Sequence, residues 1–154
     1  MLKIIFKWLL RLILGGALIY AGVLKMLDPQ AFADSIAGFQ IVPRELINLI
    51  ALSLPPFEIL LGVALILAPI MRLRNNGIRQ SVALTTTCLF AAFVFMLGQA
   101  IVRGIAVDCG CFGGGASWME SWSPTARVWF SLVRAFALFL GALWLWKKEL
   151  EVSR

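Results

Sequence analysis

A chain of 154 residues in which 61% of the side chains are hydrophobic and 14% are charged is too apolar for a soluble globular domain, where about a quarter of residues are charged. The net charge of +6 does not indicate nucleic-acid binding, because the lysines and arginines cluster at the ends of apolar segments, where they orient membrane spans. The absence of histidine excludes a His-ligated haem or a His-containing zinc site within this chain.

Four long apolar segments predict an all-α membrane protein. Each is close to or above the roughly 20 residues needed to cross a hydrocarbon core of about 30 Å. The segments cover approximately residues 4–27, 45–71, 78–102 and 125–146. Lys7 and Arg11 interrupt the first segment, so we interpret it as a span and not as a signal peptide. We expect residues 1–154 to form a single polytopic domain, a bundle of four transmembrane helices.

A short helix is predicted between the first and second spans. Asp28 can cap its N-terminus, and Pro29 suits its first helical position. Phe32, Ile36 and Phe39 then share one face. This pattern is typical of a helix that lies in the outer membrane interface or covers the end of the bundle.

Charged side chains lie inside the predicted spans, close to an expected helix irregularity. Pro55 and Pro56 remove two backbone donors from the second span, which predicts a kink or a break. Glu58 follows them, Arg134 lies in the fourth span, and Arg11 lies in the first. An intramembrane charge is expensive and normally faces a partner or a cavity. We expect Glu58 to pair with Arg134 or with Arg11, either locking the bundle together or lining a path for protons or a quinone head group.

The distribution of lysine and arginine predicts the orientation of the spans. The richer side of the membrane carries Lys3, Lys7, Arg72, Arg74, Arg79, Lys147, Lys148 and Arg154. The other side carries Lys25, Arg44, Arg103 and Arg127, offset by acidic residues. Because the richer side is normally cytoplasmic, we expect both termini in the cytoplasm. In a bacterial inner membrane the loop between the third and fourth spans would then face the periplasm, where thiols can be oxidised.

That loop contains the residues best suited to chemistry. Its sequence is Asp108-Cys109-Gly110-Cys111-Phe112-Gly113. Cys109 and Cys111 can form a disulfide if the backbone turns tightly, as Gly110 permits, and such a strained ring would exchange readily. Three interpretations remain open: a redox-active dithiol, a soft-metal site for copper or zinc, and a structural disulfide. A metal site would be short of ligands in a chain with three cysteines and no histidine.

Several short motifs are spread over nearly the whole chain. They are Arg11, Ala21-Gly22-Val23-Leu24-Lys25, Asp28-Pro29, Leu54-Pro55 with Glu58, Arg103-Gly104, the cysteine loop and Arg134. In this combination the chain resembles the MauE branch of the DoxX-like membrane proteins. The resemblance implies a four-helix membrane bundle and a role in periplasmic thiol redox, as in maturation of the disulfide-rich small subunit of methylamine dehydrogenase.

The loop and the resemblance together predict a membrane-embedded thiol–disulfide oxidoreductase. Cys109 and Cys111 would be its catalytic residues, supported by Asp108, Gly110, Phe112 and Gly113. The expected partners are the lipid bilayer and either a periplasmic thioredoxin-like protein or a cysteine-rich client, with no nucleic acid.

Other functions remain open beside this one. The chain could be a non-catalytic membrane accessory or chaperone with a structural disulfide, or a carrier of copper. A quinone is the one cofactor considered, since quinone-linked disulfide generators are also four-helix bundles; they carry two cysteine pairs, whereas this chain has one. We interpret the remaining cysteine, Cys88 in the third span, as a buried small hydrophobic residue and not as a relay thiol.

Overall fold

The computed structural model describes residues 2–69, 76–105 and 123–153, and in these ranges the chain is helical without any strand. The five helices are α1 (Leu2–Leu27), α2 (Pro29–Gly38), α3 (Arg44–Leu67), α4 (Asn76–Val102) and α5 (Pro124–Ser153). All but α2 are long and apolar enough to cross a membrane. The all-α architecture with four spans and a short helix between the first two is therefore confirmed.

Glycines bring α1 and α3 into close contact. A Cβ atom at Gly15 would lie 2.8 Å from the carbonyl oxygen of Gly62, and one at Gly62 would lie 2.7 Å from the carbonyl oxygen of Gly15. Further along, a Cβ atom at Gly22 would lie 2.8 Å from the carbonyl oxygen of Pro55. Residue numbers rise along α1 as they fall along α3, so the two helices are antiparallel, with backbones closer than any side chain would allow.

The prolines in α3 do not break the helix. Pro55 and Pro56 both lie inside the continuous helix Arg44–Leu67, so the expectation of a break is wrong. The helix instead ends earlier than the predicted limit of residue 71. Pro69 has no N–H to bond the carbonyl group of Leu65, which would be its partner in another helical turn. That carbonyl oxygen accepts a hydrogen bond from Arg11 Nη1 at 3.1 Å.

The short helix α2 is capped as predicted. Asp28 Oδ1 accepts a hydrogen bond from the backbone N–H of Ala31 at 3.0 Å, and proline occupies the first turn. Phe32, Ala33 and Ile36 are buried against Ala51 of α3. The apolar face of α2 therefore covers the bundle instead of lying free.

The bundle consists of two tightly packed helix pairs. The most extensive packing joins α1 to α3 and α4 to α5, whereas the two pairs meet each other less closely. One buried cluster links them: Leu14, Leu18, Leu61, Leu65, Phe90, Ala142 and Leu145. Large apolar side chains such as Leu52, Phe95 and Val133 point outward and are more than 60% exposed. In a membrane protein these outward faces contact lipid.

Candidate functional site

Glu58 and Lys25 form an ion pair in the interior of the bundle. Lys25 Nζ lies 2.5 Å from Glu58 Oε1, and the side chains are 1% and 0% exposed. The predicted partners of Glu58, Arg134 or Arg11, are therefore wrong. Side chains on a helix lean towards its N-terminus, so Lys25 and Glu58 lean towards each other on antiparallel helices. Gly22 lies between them, and a Cβ atom there would come within 3.4 Å of the Glu58 Cβ.

Two aromatic rings and one unsatisfied oxygen complete the surroundings of this pair. Lys25 Nζ lies 4.9 Å from the centre of the Phe32 ring and 4.8 Å from that of Phe93. Ring faces stabilise a desolvated ammonium group. Glu58 Oε2 is buried and has no hydrogen-bond partner within the described residues. Glu58 Oε2 is thus a hydrogen-bond acceptor without a donor in an apolar setting, and its desolvation lowers the stability of the fold.

An apolar cavity lies next to the ion pair. It consists of two apolar pockets, a smaller and a larger one, that share the wall residues Phe93 and Leu97. The larger part is lined by α2 with its C-cap, by α3 and by α4, and includes Phe32, Phe39 and Leu54. Phe32 and Phe93 are thus both walls of the cavity and contacts of the Lys25 ammonium group.

Arg134 belongs to the smaller part of this cavity. Together with Ser131 it supplies the polar side chains of that lining, and its guanidinium lies 5.5 Å from the ring of Phe130. The structure therefore separates the three intramembrane charges that the sequence singled out. Glu58 pairs with Lys25, Arg134 lies on the far side of Phe93, and Arg11 lies at the opposite end of α1.

Arg11 is part of a second buried ion cluster. Its Nη2 lies 3.0 Å from Glu149 Oε1. Arg79 approaches the other oxygen of Glu149 at 2.9 Å, and Lys7 approaches Oε1 at 3.5 Å. Hydropathy ends the fourth predicted span at residue 146, so the sequence does not predict a buried Glu149. The signal was its position four residues after the buried Leu145, which puts both on one helix face.

The predicted catalytic loop lies outside the described residues. This applies to Cys109 and Cys111 and to the supporting residues Asp108, Gly110, Phe112 and Gly113. The end of α4 that leads to the loop is described: Arg103 Nη1 donates a hydrogen bond to the carbonyl oxygen of Phe39 at 3.3 Å. The chain thus enters the loop beside a wall of the apolar cavity.

Cys88 does not occupy the buried position expected for it. Its side chain is exposed on α4 as a free thiol. The reason is its helical position: Thr86 and Thr87 are buried, and the next residue turns out of the bundle. An outward thiol in the middle of a span contacts lipid and is unsuited to relay electrons through the bundle.

Comparison with known proteins identifies the family. The family described as methylamine utilisation protein MauE matches residues 3–147. The chain belongs to the MauE family. The methylamine utilization protein MauE of Paracoccus denitrificans is 26% identical over 135 residues, which cover 87% of this chain and 68% of that relative. No solved structure matches the chain. Membership of the MauE family confirms the resemblance, and with four apolar helices it makes the chain a multi-pass membrane protein.

Proposed function

We propose that this MauE-family protein is a membrane accessory that makes disulfides and passes them to a partner through Cys109 and Cys111. The observation that carries the proposal is the apolar cavity beside the buried Lys25–Glu58 pair, at the end of the bundle where α4 leads into the cysteine loop. A dithiol can become a disulfide only if something accepts two electrons. The cavity supports an acceptor that dissolves in the membrane.

The acceptor that fits this cavity is a quinone. Its ring and isoprenoid tail suit an apolar, aromatic-lined space between α2, α3 and α4. Lys25 and Glu58 are fully buried and do not line this space themselves. Phe32 and Phe93 line it and contact the Lys25 ammonium group, so a shift of either ring would bring Lys25 as donor and Glu58 Oε2 as acceptor to the quinone. The chain has only three cysteines, so no second cysteine pair stands between the loop and the acceptor.

The proposed reaction balances in two steps. The Cys109 and Cys111 thiols lose two protons and two electrons to form the S–S bond, and the quinone gains both to become a hydroquinone. A thiolate of the partner then attacks one sulfur to form a mixed disulfide, and a second partner thiol resolves it. The partner leaves oxidised, and the cysteine pair returns to the dithiol form.

The partner would be a periplasmic thioredoxin-like protein or a cysteine-rich client. The name of the Paracoccus denitrificans relative supports a client that belongs to methylamine utilisation. With both termini cytoplasmic, as the charge distribution predicts, the cysteine loop faces the oxidising compartment.

A trapping experiment tests the exchange. Cys109→Ser and Cys111→Ser each leave one thiol, which cannot close the intramolecular disulfide. The variant that keeps the cysteine to which the partner bonds should attack the oxidised partner, the reverse of the proposed step, and accumulate the mixed disulfide. Non-reducing gels and mass spectrometry of the adduct provide the measurement. Cys88→Ser is the matched control and should trap nothing while retaining function. If neither single variant traps a partner and the double variant remains fully functional in cells, the protein is a non-catalytic accessory.

A further inference from the structure

A second cavity lies at the opposite end of the bundle, where α1 begins and α5 ends. It is lined by Lys7, Trp8, Arg11, Pro69, Arg79 and Glu149. These residues come from α1, α4 and α5 and from the turn that follows α3. The cavity is separate from the Lys25–Glu58 pair, and nothing in the proposed redox reaction uses it.

The lining carries an excess of positive charge. Three cations, from Lys7, Arg11 and Arg79, surround the single carboxylate of Glu149, which leaves a net charge of +2 on the described lining. The neighbouring Lys148 pairs with Glu151 at 2.6 Å and adds no net charge. A partly buried excess of cations favours an anionic ligand.

Two of the three cations retain hydrogen-bonding capacity. Arg11 is fully buried and donates to both Leu65 and Glu149. Arg79 is 26% exposed, and its buried Nε has no partner in the described structure. Lys7 is 23% exposed and reaches its acceptors only at 3.5 Å, the weak limit of a hydrogen bond. Arg79 and Lys7 are therefore the donors that an anion could engage.

The cavity lies at a level of the bundle where α1 also faces lipid. Ile5, Phe6 and Leu9 are each more than 50% exposed, on the face of α1 opposite to Lys7 and Arg11. Trp8 is half-buried in the cavity wall, and tryptophan favours the level of lipid head groups. We infer that the cavity binds the phosphate group of an anionic phospholipid, with Lys7 and Arg79 as its donors. A zwitterionic lipid would leave the charge of +2 uncompensated.

Lipid retention measured by native mass spectrometry tests this inference. Protein taken from nanodiscs of equal phosphatidylglycerol and phosphatidylcholine should retain phosphatidylglycerol in preference. Lys7→Gln or Arg79→Gln should each reduce that preference about fivefold, as expected for loss of one lysine or arginine contact. Arg11 still neutralises Glu149 in both variants. Lys147→Gln, which removes an exposed charge at the same end without touching the cavity, should leave the preference unchanged.

Three results would overturn the inference. Equal retention of the two lipids by the unmodified protein excludes a specific anionic site, whether or not the variants fold. An equal loss in Lys147→Gln assigns the effect to general surface charge. Displacement of phosphatidylglycerol by millimolar inorganic phosphate, with stabilisation of the lipid-free protein by phosphate alone, assigns the site to a soluble anion.

Discussion

At the scale of single residues, the Lys25–Glu58 pair places two opposite charges where the solvent is excluded. Removing both charges from water costs several kcal/mol for each ion, which their mutual attraction repays only if the geometry is good. The pair is close, but one oxygen of Glu58 is unpartnered in the described structure. Such an arrangement favours specificity or function over maximal stability.

Substitutions at this pair should separate its structural and functional roles. Glu58→Ala should destabilise the protein by about 3 kcal/mol, because it strands a buried ammonium group. Glu58→Gln should cost less. The double variant Lys25→Met with Glu58→Leu should recover the stability yet bind quinone more weakly. Thermal unfolding in detergent and quinone photolabelling measure the two effects.

The exposed pair Lys148–Glu151 provides the matched control. The same double replacement there should change stability by less than about 1 kcal/mol and leave quinone labelling unchanged. Undiminished labelling of the Lys25→Met, Glu58→Leu variant would remove the ion pair from the proposed quinone site.

The sequence predicts that Glu58 meets a cation, but the two predicted cations, Arg134 and Arg11, are wrong. A carboxylate inside an apolar segment needs a partner, and this can be predicted from the sequence. Which of Lys25, Arg11 and Arg134 is the partner depends on helix register and side-chain direction. Lys25 looked like a residue of the membrane surface because it lies in the last turn of α1. Its long side chain instead reaches back into the bundle.

At the scale of helices, the contact between α1 and α3 depends on the absence of side chains at specific positions. Gly15 and Gly16 are neighbours with the same intrinsic propensity, but only Gly15 meets α3. Nothing lies within 4 Å of a Cβ atom at Gly16. The two glycines therefore form a natural pair of test site and control.

Gly15→Ala should force α1 and α3 apart and destabilise the protein by about 1 to 3 kcal/mol, the usual cost of overpacking. Gly16→Ala should be neutral or stabilising by up to about 1 kcal/mol, because alanine is the better helix former. Thermal unfolding of the two variants in the same detergent makes the comparison. Equal stabilities would mean that the close backbone contact does not form.

The existence of each helix could be predicted from apolar segments, but the ends of α3 and α5 could not. A hydropathy pattern does not show that Pro69 lacks the N–H that would donate a hydrogen bond to the carbonyl oxygen of Leu65. The second predicted span is therefore longer than α3. Hydropathy also ends the fourth predicted span before Glu149, because a run of charged residues after an apolar segment is typical of the membrane surface. The helix continues to Ser153 since Arg11, Arg79 and Lys7 satisfy that carboxylate.

At the scale of the whole molecule, the two ion clusters mark opposite ends of the bundle. The cluster around Glu149 lies near both termini, and the Lys25–Glu58 pair lies towards α2 and the start of the cysteine loop. The lysine and arginine distribution predicts that the terminal end is cytoplasmic. This orientation decides whether Cys109 and Cys111 meet an oxidising compartment.

Thiol labelling should establish the orientation. In a Cys88→Ser background, a membrane-impermeant maleimide should label Cys109 and Cys111 in intact spheroplasts after mild reduction. A cysteine introduced by Lys147→Cys in a cysteine-free background should react only after the membrane is permeabilised. The reverse pattern would place the loop in the cytoplasm, where thiols are kept reduced, and would contradict the proposed disulfide formation.

The division of the bundle into two close-packed pairs has a consequence for biogenesis. The first pair, α1 with α3, is encoded before residue 70, and the second, α4 with α5, is encoded after residue 75. The closest contacts therefore form within each half of the chain, and the first hairpin can close while the ribosome is still synthesising the second. Assembly then reduces to the docking of two preformed hairpins.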